Sequence, residues 1–273
     1  MKQVEGDASY IPPAQRPASL RFRFFRSFSA LILREMTTSY GRSPGGYLWA
    51  ILEPVAGLAL LSIVFSYIVR TPSLGNNFMY FFAGGLLPFG LYLTVSNTTA
   101  GAVRFSKALL EYPAVSFIDA VLARFVLNAM TYLLIMFLVL TGIIIGYNLN
   151  PILNWPSIFL AIAMALSLAF GVGVMNCFLV TSYPLWERAW AVANRPLFII
   201  SGILFIPENM TGQLRDILML NPLIHITSEM RKGLFSTYDA VHVRPLYVFT
   251  IALVLTVLGL LFLRRYHKDI VLK

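Results

Sequence analysis

Four ionisable residues, Glu53, Asp119, Arg124 and Arg195, interrupt stretches that are otherwise long and apolar. Two carboxylates and two guanidiniums could serve acid–base chemistry only if they met at one place, because proton transfer needs hydrogen-bond reach. They are scattered one or two to a run, so the better chemistry for them is a polar mouth that receives an anionic or sugar-rich substrate. Arg195, furthest along its run, is the strongest single candidate for that work. The plainer reading also stands: each side chain snorkels to an interface. A charge at the centre of a bilayer costs roughly 2.5–3.5 kcal/mol, and a position near the end of a span costs less. His225, His242 and His267 have no carboxylate arrangement around them in sequence that resembles a catalytic set. There is no HExxH, no CxxC and no GxxxxGK[ST], so neither a metal site nor a nucleotide cradle is expected, and no residue is assigned a catalytic role. Cys177, the one cysteine, lies in an apolar run and reads as a small packed side chain.

Aromatic residues offer a second kind of chemistry. Tyr47, Trp49, Tyr80, Tyr92, Trp155, Trp186 and Trp190 fall near the ends of the apolar runs. Such residues form the interfacial belt of membrane proteins. Their faces also stack on sugar rings, and sequence does not separate belt from sugar path. The candidates for a substrate path are therefore Tyr47, Trp49, Glu53, Tyr92, Arg124 and Arg195.

What must position these residues follows from composition. Of 273 residues, 58% are hydrophobic and 12% charged, with mean hydropathy +0.74. Soluble domains carry about 25% charged residues, so this chain is built for a bilayer. The runs predict an all-α membrane protein with six transmembrane helices at 48–69, 78–99, 119–146, 157–179, 190–206 and 245–263. The first holds 22 residues, about 33 Å of helix against a hydrocarbon core of about 30 Å. The third begins as an apolar helix at Phe117, and its Gly142 and Gly146 form a GxxxG, a weak signal for close helix approach. The fifth is the least regular, because it is short and contains Arg195-Pro196. No internal repeat is evident.

Six spans with both termini in the cytoplasm place 15 of the 21 Lys and Arg on the cytoplasmic side and 5 on the other, with Arg124 inside the third span. That is a firm positive-inside bias. It also accounts for the net charge of +9 without nucleic acid.

Five segments do not span. Residues 1–19 hold Pro12, Pro13 and Pro17 without the apolar core of a signal peptide, and read as a disordered tail. Residues 20–40 place Leu20, Phe24, Phe28 and Leu31 on one side of a helix and several arginines elsewhere, as in an amphipathic helix lying at the interface of membrane lipids. The loop 100–116 mixes Arg104, Lys107 and Glu111 with Ala108, Leu109 and Leu110. It is either a solvated connector or a docking helix for a soluble motor subunit. Residues 207–234 read as two short amphipathic helices about Asn221-Pro222. They form a re-entrant hairpin in the outer leaflet or a cap resting on it. Residues 264–273 form a cytoplasmic tail.

The string from Gly41 to Pro54, GRSPGGYLWAILEP, resembles the RxxxGYLWAILEP segment of ABC-2 type permeases, closest to their capsule-export branch. Gly85-Leu86-Leu87-Pro88-Phe89, the run from Ile118 to Arg124, and Asn221-Pro222-Leu223-Ile224-His225 are similar to the same family and occur in its order. The resemblance covers roughly residues 20 to 265. It implies the ABC-2 permease fold of type V exporters, in a homodimer bound to two copies of a P-loop ATPase that hold the ATP and Mg. Segment 20–40 would then be the interface helix and 100–116 the coupling helix, with Arg26, Arg34, Arg104, Lys107 and Glu111 facing the ATPase. Leu218, Asn221, Pro222 and His225 would belong to a periplasmic gate. The substrate implied is a lipid-linked acidic capsular polysaccharide, moved across the bacterial inner membrane and passed to periplasmic co-polymerase or adaptor proteins and outer-membrane export proteins. Alternatives are a sister permease for O-antigen or teichoic acid, or a polytopic membrane transferase.

Overall fold

A computed structural model describes residue 32, residues 46–107 and residues 116–272, with side chains placed within 48–107 and 116–266. The expected tail 1–19, most of the interface helix 20–40, Arg26, Arg34, Glu111 and the side chain of Tyr47 lie outside the described residues.

Among the described residues the chain is helical, without strands. Helix α1 (Gly46–Ile68) carries Pro54 within it. Helix α2 (Phe78–Ala100) opens on Asn77, whose Oδ1 accepts from the Tyr80 amide at 2.9 Å. The short α3 (Ala102–Phe105) follows it directly. Helix α4 (Phe117–Gly146) starts in a capping box: the Ser116 amide donates to Asp119 at 3.1 Å, and the Ser116 hydroxyl accepts from the Ile118 amide. Such reciprocal bonds satisfy donors that the first helical turn leaves orphaned. Asp119 is thus a cap carboxylate. Helix α5 (Trp155–Ser182) starts at Asn154 with Pro156 in its first turn, where a missing N–H is harmless. Helix α6 (Pro184–Ile200), a single 3₁₀ turn (Pro207–Asn209), α7 (Gln213–Met219), α8 (Pro222–Leu234) and α9 (Pro245–Leu272) complete the chain.

Five of these helices are long and apolar enough to cross a membrane: α1, α2, α4, α5 and α9. The stretch expected as a span at 190–206 is occupied differently. Its helix, α6, begins at Pro184, has 17 residues and stops at Ile200. Ser201 and Gly202 end it, Gly202 at φ +70°, a backbone setting that glycine adopts without the strain of a Cβ. The apolar run continues to Ile206, but as buried non-helical backbone rather than as another turn and a half of helix.

Helix α5 is the hub, packed against α9, α2 and α8. Glycines let the α5 and α9 backbones meet. A Cβ on Gly171 would lie 2.5 Å from the Ala252 carbonyl oxygen, and one on Gly259 would lie 2.7 Å from the Met175 nitrogen. Small residues at contacts are how membrane helices approach where no hydrophobic effect drives them together. Gly142 and Gly146 have open space where a Cβ would stand, so this GxxxG brings no helix close among the described residues. Helix α8 is buried nearly throughout, between α2 and α5, with Leu223, Ile224, Ile226 and Met230 in the core.

Candidate functional site

A cavity of about 500 Å³ opens between α1, α2, α4 and α6. Its polar lining comes from Glu53 on α1, Thr94 on α2, and Asn128, Thr131 and Tyr132 on α4; Phe89 and Phe198 add aromatic walls. Helical periodicity explains the α4 contribution, because positions 128, 131 and 132 share one face. Asn128 donates to the Arg124 carbonyl at 2.7 Å, and Thr131 donates to the Leu127 carbonyl at 2.9 Å. Each polar side chain therefore satisfies a donor within its own helix and keeps an oxygen able to accept. Gly90 makes room for Tyr132: a Cβ there would fall 1.8 Å from the phenol oxygen. A hydroxyl- and amide-rich wall beside one carboxylate suits hydrogen bonding to a polyhydroxylated ligand.

Of the substrate-path candidates, Glu53 lines this cavity. Trp49 stands 64% exposed on the outer surface of α1. Tyr92 is buried in the core beside Phe89 and does not reach the lining. Arg124 lies at the base of α4, where it donates to the Gly101 carbonyl at 3.1 Å and sits 4.3 Å over the Phe105 ring. It ties α4 to the end of α2. Arg195 is exposed on α6, which has no buried residue.

Of the residues expected at an ATPase contact, Arg104 and Lys107 are described. Arg104 forms a two-pronged ion pair with Glu187 at the start of α6, at 2.7 and 2.9 Å. The hydrogen bond with Arg104 holds the Glu187 carboxyl below its usual range, and Glu187 raises Arg104 in turn. Lys107 is half-buried.

The gate candidates sit together at the turn between α7 and α8. Leu218 is buried. Asn221 caps α8 through the Leu223 amide and reaches back to the Ile200 carbonyl at 3.1 Å. Pro222 begins α8. His225 is 2% exposed, its Nε2 3.0 Å from the Met219 carbonyl oxygen and its Nδ1 3.3 Å from the Arg244 amide. Tyr247 at the start of α9 donates to the Leu220 carbonyl at 2.7 Å.

Sequence reasoning missed Arg231, which it counted among external loop charges. The side chain is fully buried, and its guanidinium donates to the carbonyls of Gly202, Ile203 and Phe205. The adjacent Gly84-Gly85 pair on α2 was the available signal, because such a pair leaves a space that something large must fill. Sequence reasoning also missed a relay beside the middle of α8. His242 lies 3.1 Å from the Ser228 hydroxyl and 2.8 Å from Glu208, which in turn accepts from Tyr238 at 2.9 Å.

The profile of the ABC-2 type transporter family matches residues 26–235, a stretch that holds the cavity and the α7–α8 hairpin. The chain belongs to the ABC-2 type transporter family. The permease is 30% identical over 231 residues to the polysialic acid transport protein KpsM of Escherichia coli, covering 85% of this chain and 90% of that one. It is 25% identical to the capsule polysaccharide export inner-membrane protein CtrC of Neisseria meningitidis, over 90% of this chain and 92% of that one. With the capsule polysaccharide export inner-membrane protein BexB of Haemophilus influenzae, identity is 26% at the same coverage.

Proposed function

We propose that this chain is the permease subunit of an ABC exporter that moves capsular polysaccharide across the bacterial inner membrane. The observation that carries this reading is the match to KpsM, CtrC and BexB over about nine-tenths of their length. The sequence contains no phosphate-binding loop, so a separate P-loop ATPase supplies the energy and holds ATP and Mg. In the full reading, two copies of the permease pair with two copies of the ATPase. Residues 20–40 lie at the cytoplasmic interface, α6 is the fifth of six crossings, and both termini are cytoplasmic. Export continues through periplasmic co-polymerase or adaptor proteins and outer-membrane proteins.

The cargo fits the cavity on chemical grounds. A polymer longer than the bilayer is thick cannot be enclosed whole, so it needs a conduit lined by modest hydrogen-bonding groups and a movable outer closure. Glu53, Thr94, Asn128, Thr131 and Tyr132 supply the lining. Charges on an acidic polymer favour the wide, water-filled middle of the conduit, while sugar hydroxyls meet the wall. The closure is the hairpin of α7 and α8, whose backbone breaks at Asn221-Pro222 between the two helices, and a broken backbone is tolerated in a membrane where it is packed in protein or borders a wet cavity.

Deletion of the gene from its encapsulated host tests the proposal. Polysaccharide should accumulate in the cytoplasm and disappear from the cell surface. The tagged chain should bring down a P-loop ATPase while showing no ATP hydrolysis when purified alone. Normal surface polysaccharide in the deletion strain would refute the assignment.

A further inference from the structure

Beyond Ile200 the backbone is unwound yet buried: Ser201 and Ile203 are fully inaccessible. A helix end leaves its last carbonyls without partners inside the helix, and away from water those groups must find donors elsewhere. Here the donors come from the α7–α8 hairpin. Asn221 reaches the Ile200 carbonyl at 3.1 Å, and the Thr227 hydroxyl reaches that of Ser201 at 2.9 Å. Arg231 takes three more, donating from Nη1 to Gly202 at 2.6 Å and Phe205 at 3.0 Å, and from Nη2 to Ile203 at 2.7 Å.

Space for the guanidinium is built into α2. A Cβ on Gly84 would stand 3.1 Å from Arg231 Cγ, and one on Gly85 would stand 3.0 Å from both Nη2 and Ile203 Cα. The Phe81 ring covers the guanidinium at 4.3 Å. Unwound carbonyls at the break of a membrane helix are the groups that hold a bound cation in many transporters. In this chain the cation is covalently attached to the neighbouring helix.

We propose that Arg231 is the positioning residue of the outer closure: its guanidinium occupies the carbonyl cradle at the end of α6 and locks that end to α8, so the two move as one body. The word closure rests on the permease reading above; the lock itself does not. The planar fork matters more than the charge, because one guanidinium aligns donors on three carbonyls while an ammonium is a point charge on a flexible stem. The lock also completes a mechanical line. Arg104, just past α2, grips Glu187 at the first turn of α6, and the far end of α6 is held by Arg231. Displacement at the Arg104 end is therefore delivered to α8 through α6, whose hydrogen-bond ladder is interrupted within the helix at Pro196.

The test is hydrogen exchange in lipid nanodiscs on the full chain and on Arg231→Lys, read segment by segment. Lysine keeps the charge and loses the fork. Exchange within 201–206 should rise by at least about tenfold, the factor expected when charge-assisted bonds to buried carbonyls are lost. Segments of α2 and α5 should keep their wild-type rates. In the assembled exporter the same variant should hydrolyse ATP normally while moving less polysaccharide per ATP, a ratio that mere loss of protein would not change. Wild-type exchange in 201–206, or an equal rise in every segment, would overturn the proposal. If Arg231→Lys is not recovered from membranes, Thr227→Val removes the hydroxyl that reaches the Ser201 carbonyl and, within α8, the Ile224 carbonyl at 3.1 Å. It should produce a smaller rise confined to the same stretch, and unchanged exchange there would overturn the proposal equally. The exchange experiment requires neither ATPase nor cargo, so its outcome is independent of whether the chain exports polysaccharide.

Discussion

His225 and His242 sit with ring centroids 6.1 Å apart where the hairpin meets the segment leading into α9. The Met219 carbonyl can only accept, so Nε2 of His225 carries the proton, and Nδ1 accepts from the Arg244 amide. Protonation would set a second N–H against that amide, two donors facing each other. Burial lowers the affinity of both rings for a proton, and each has a cationic neighbour that adds to this, Arg244 for His225 and Arg215 for His242. Glu208 opposes the shift at His242. Its carboxylate lies 2.8 Å from Nδ1, close enough to favour the charged ring. Tyr238 donates to the same carboxylate, 3.0 Å from Oε1 and 2.9 Å from Oε2. A histidine whose folded affinity lies below the ordinary 6.5 favours folding above that pH, and the contribution is lost as pH falls through it. The nanodisc-embedded chain should therefore melt at a lower temperature at about pH 5.5 than at about pH 7.5. His225→Gln, which keeps a neutral donor and acceptor, should shrink that difference. An identical pH dependence in the variant would remove His225 from the account. The types and order of these residues were visible in the sequence, but their meeting was not: Glu208, Ser228 and His242 are separated by a hairpin whose fold brings them together. Asp119 shows the converse. Grouped by sequence with the membrane-depth charges, it is a helix cap, and the Ser116 three positions before it was the sign.

At the scale of elements, hydropathy made the five long apolar helices legible because length and lack of charge suffice to define them. It did not show where α6 ends. The run from Phe198 to Ile206 is continuously apolar apart from Ser201 and Gly202. What stops the helix is a set of donors on Asn221, Thr227 and Arg231, 21 to 29 positions away. Propensity at short range cannot see partners at that separation. The same limit applies to Arg104, which sequence could place only on a loop. Its two-pronged pair with Glu187 joins that loop to α6, with both side chains more than half exposed. Such pairs contribute only about 0.2–1 kcal/mol to stability, so the pair serves position rather than fold. Arg104→Glu should leave the melting temperature nearly unchanged while reducing export through repulsion from Glu187. The exchange Arg104→Glu with Glu187→Arg should restore much of it. If the double variant exports no better than the single one, Arg104 acts on the ATPase directly and the pair with Glu187 is incidental.

The whole molecule is lopsided. Only 6% of the apolar window of α1 is buried, against 67% for α2 and 56% for α5. Trp49, Leu52, Leu60, Ile63 and Tyr67 face outward from α1, and α6 buries none of its residues. Lipid accepts bare apolar helices readily, so exposure of leucines alone implies no partner. The charges give the proposed pairing of two copies its test. Glu53 on α1 and Arg195 on α6 are both exposed on these two uncovered helices, and a charge facing lipid is costly, up to roughly 2.5–3.5 kcal/mol at the bilayer centre and less towards the end of a span. A second copy meeting the first across α1 and α6 would turn these side chains into a watered passage, with the cavity beside Glu53 opening onto it. The two arrangements predict opposite results for Glu53→Leu combined with Arg195→Leu. Facing lipid, the double variant gains stability and exports normally. Lining a passage between copies, it stays in the membrane and differently tagged copies still co-purify, but export falls because the polar path is gone. We expect the second result, measured as surface polysaccharide per unit of membrane-inserted protein. A stabilised, fully exporting variant would place α1 and α6 against lipid and move the conduit elsewhere in the fold.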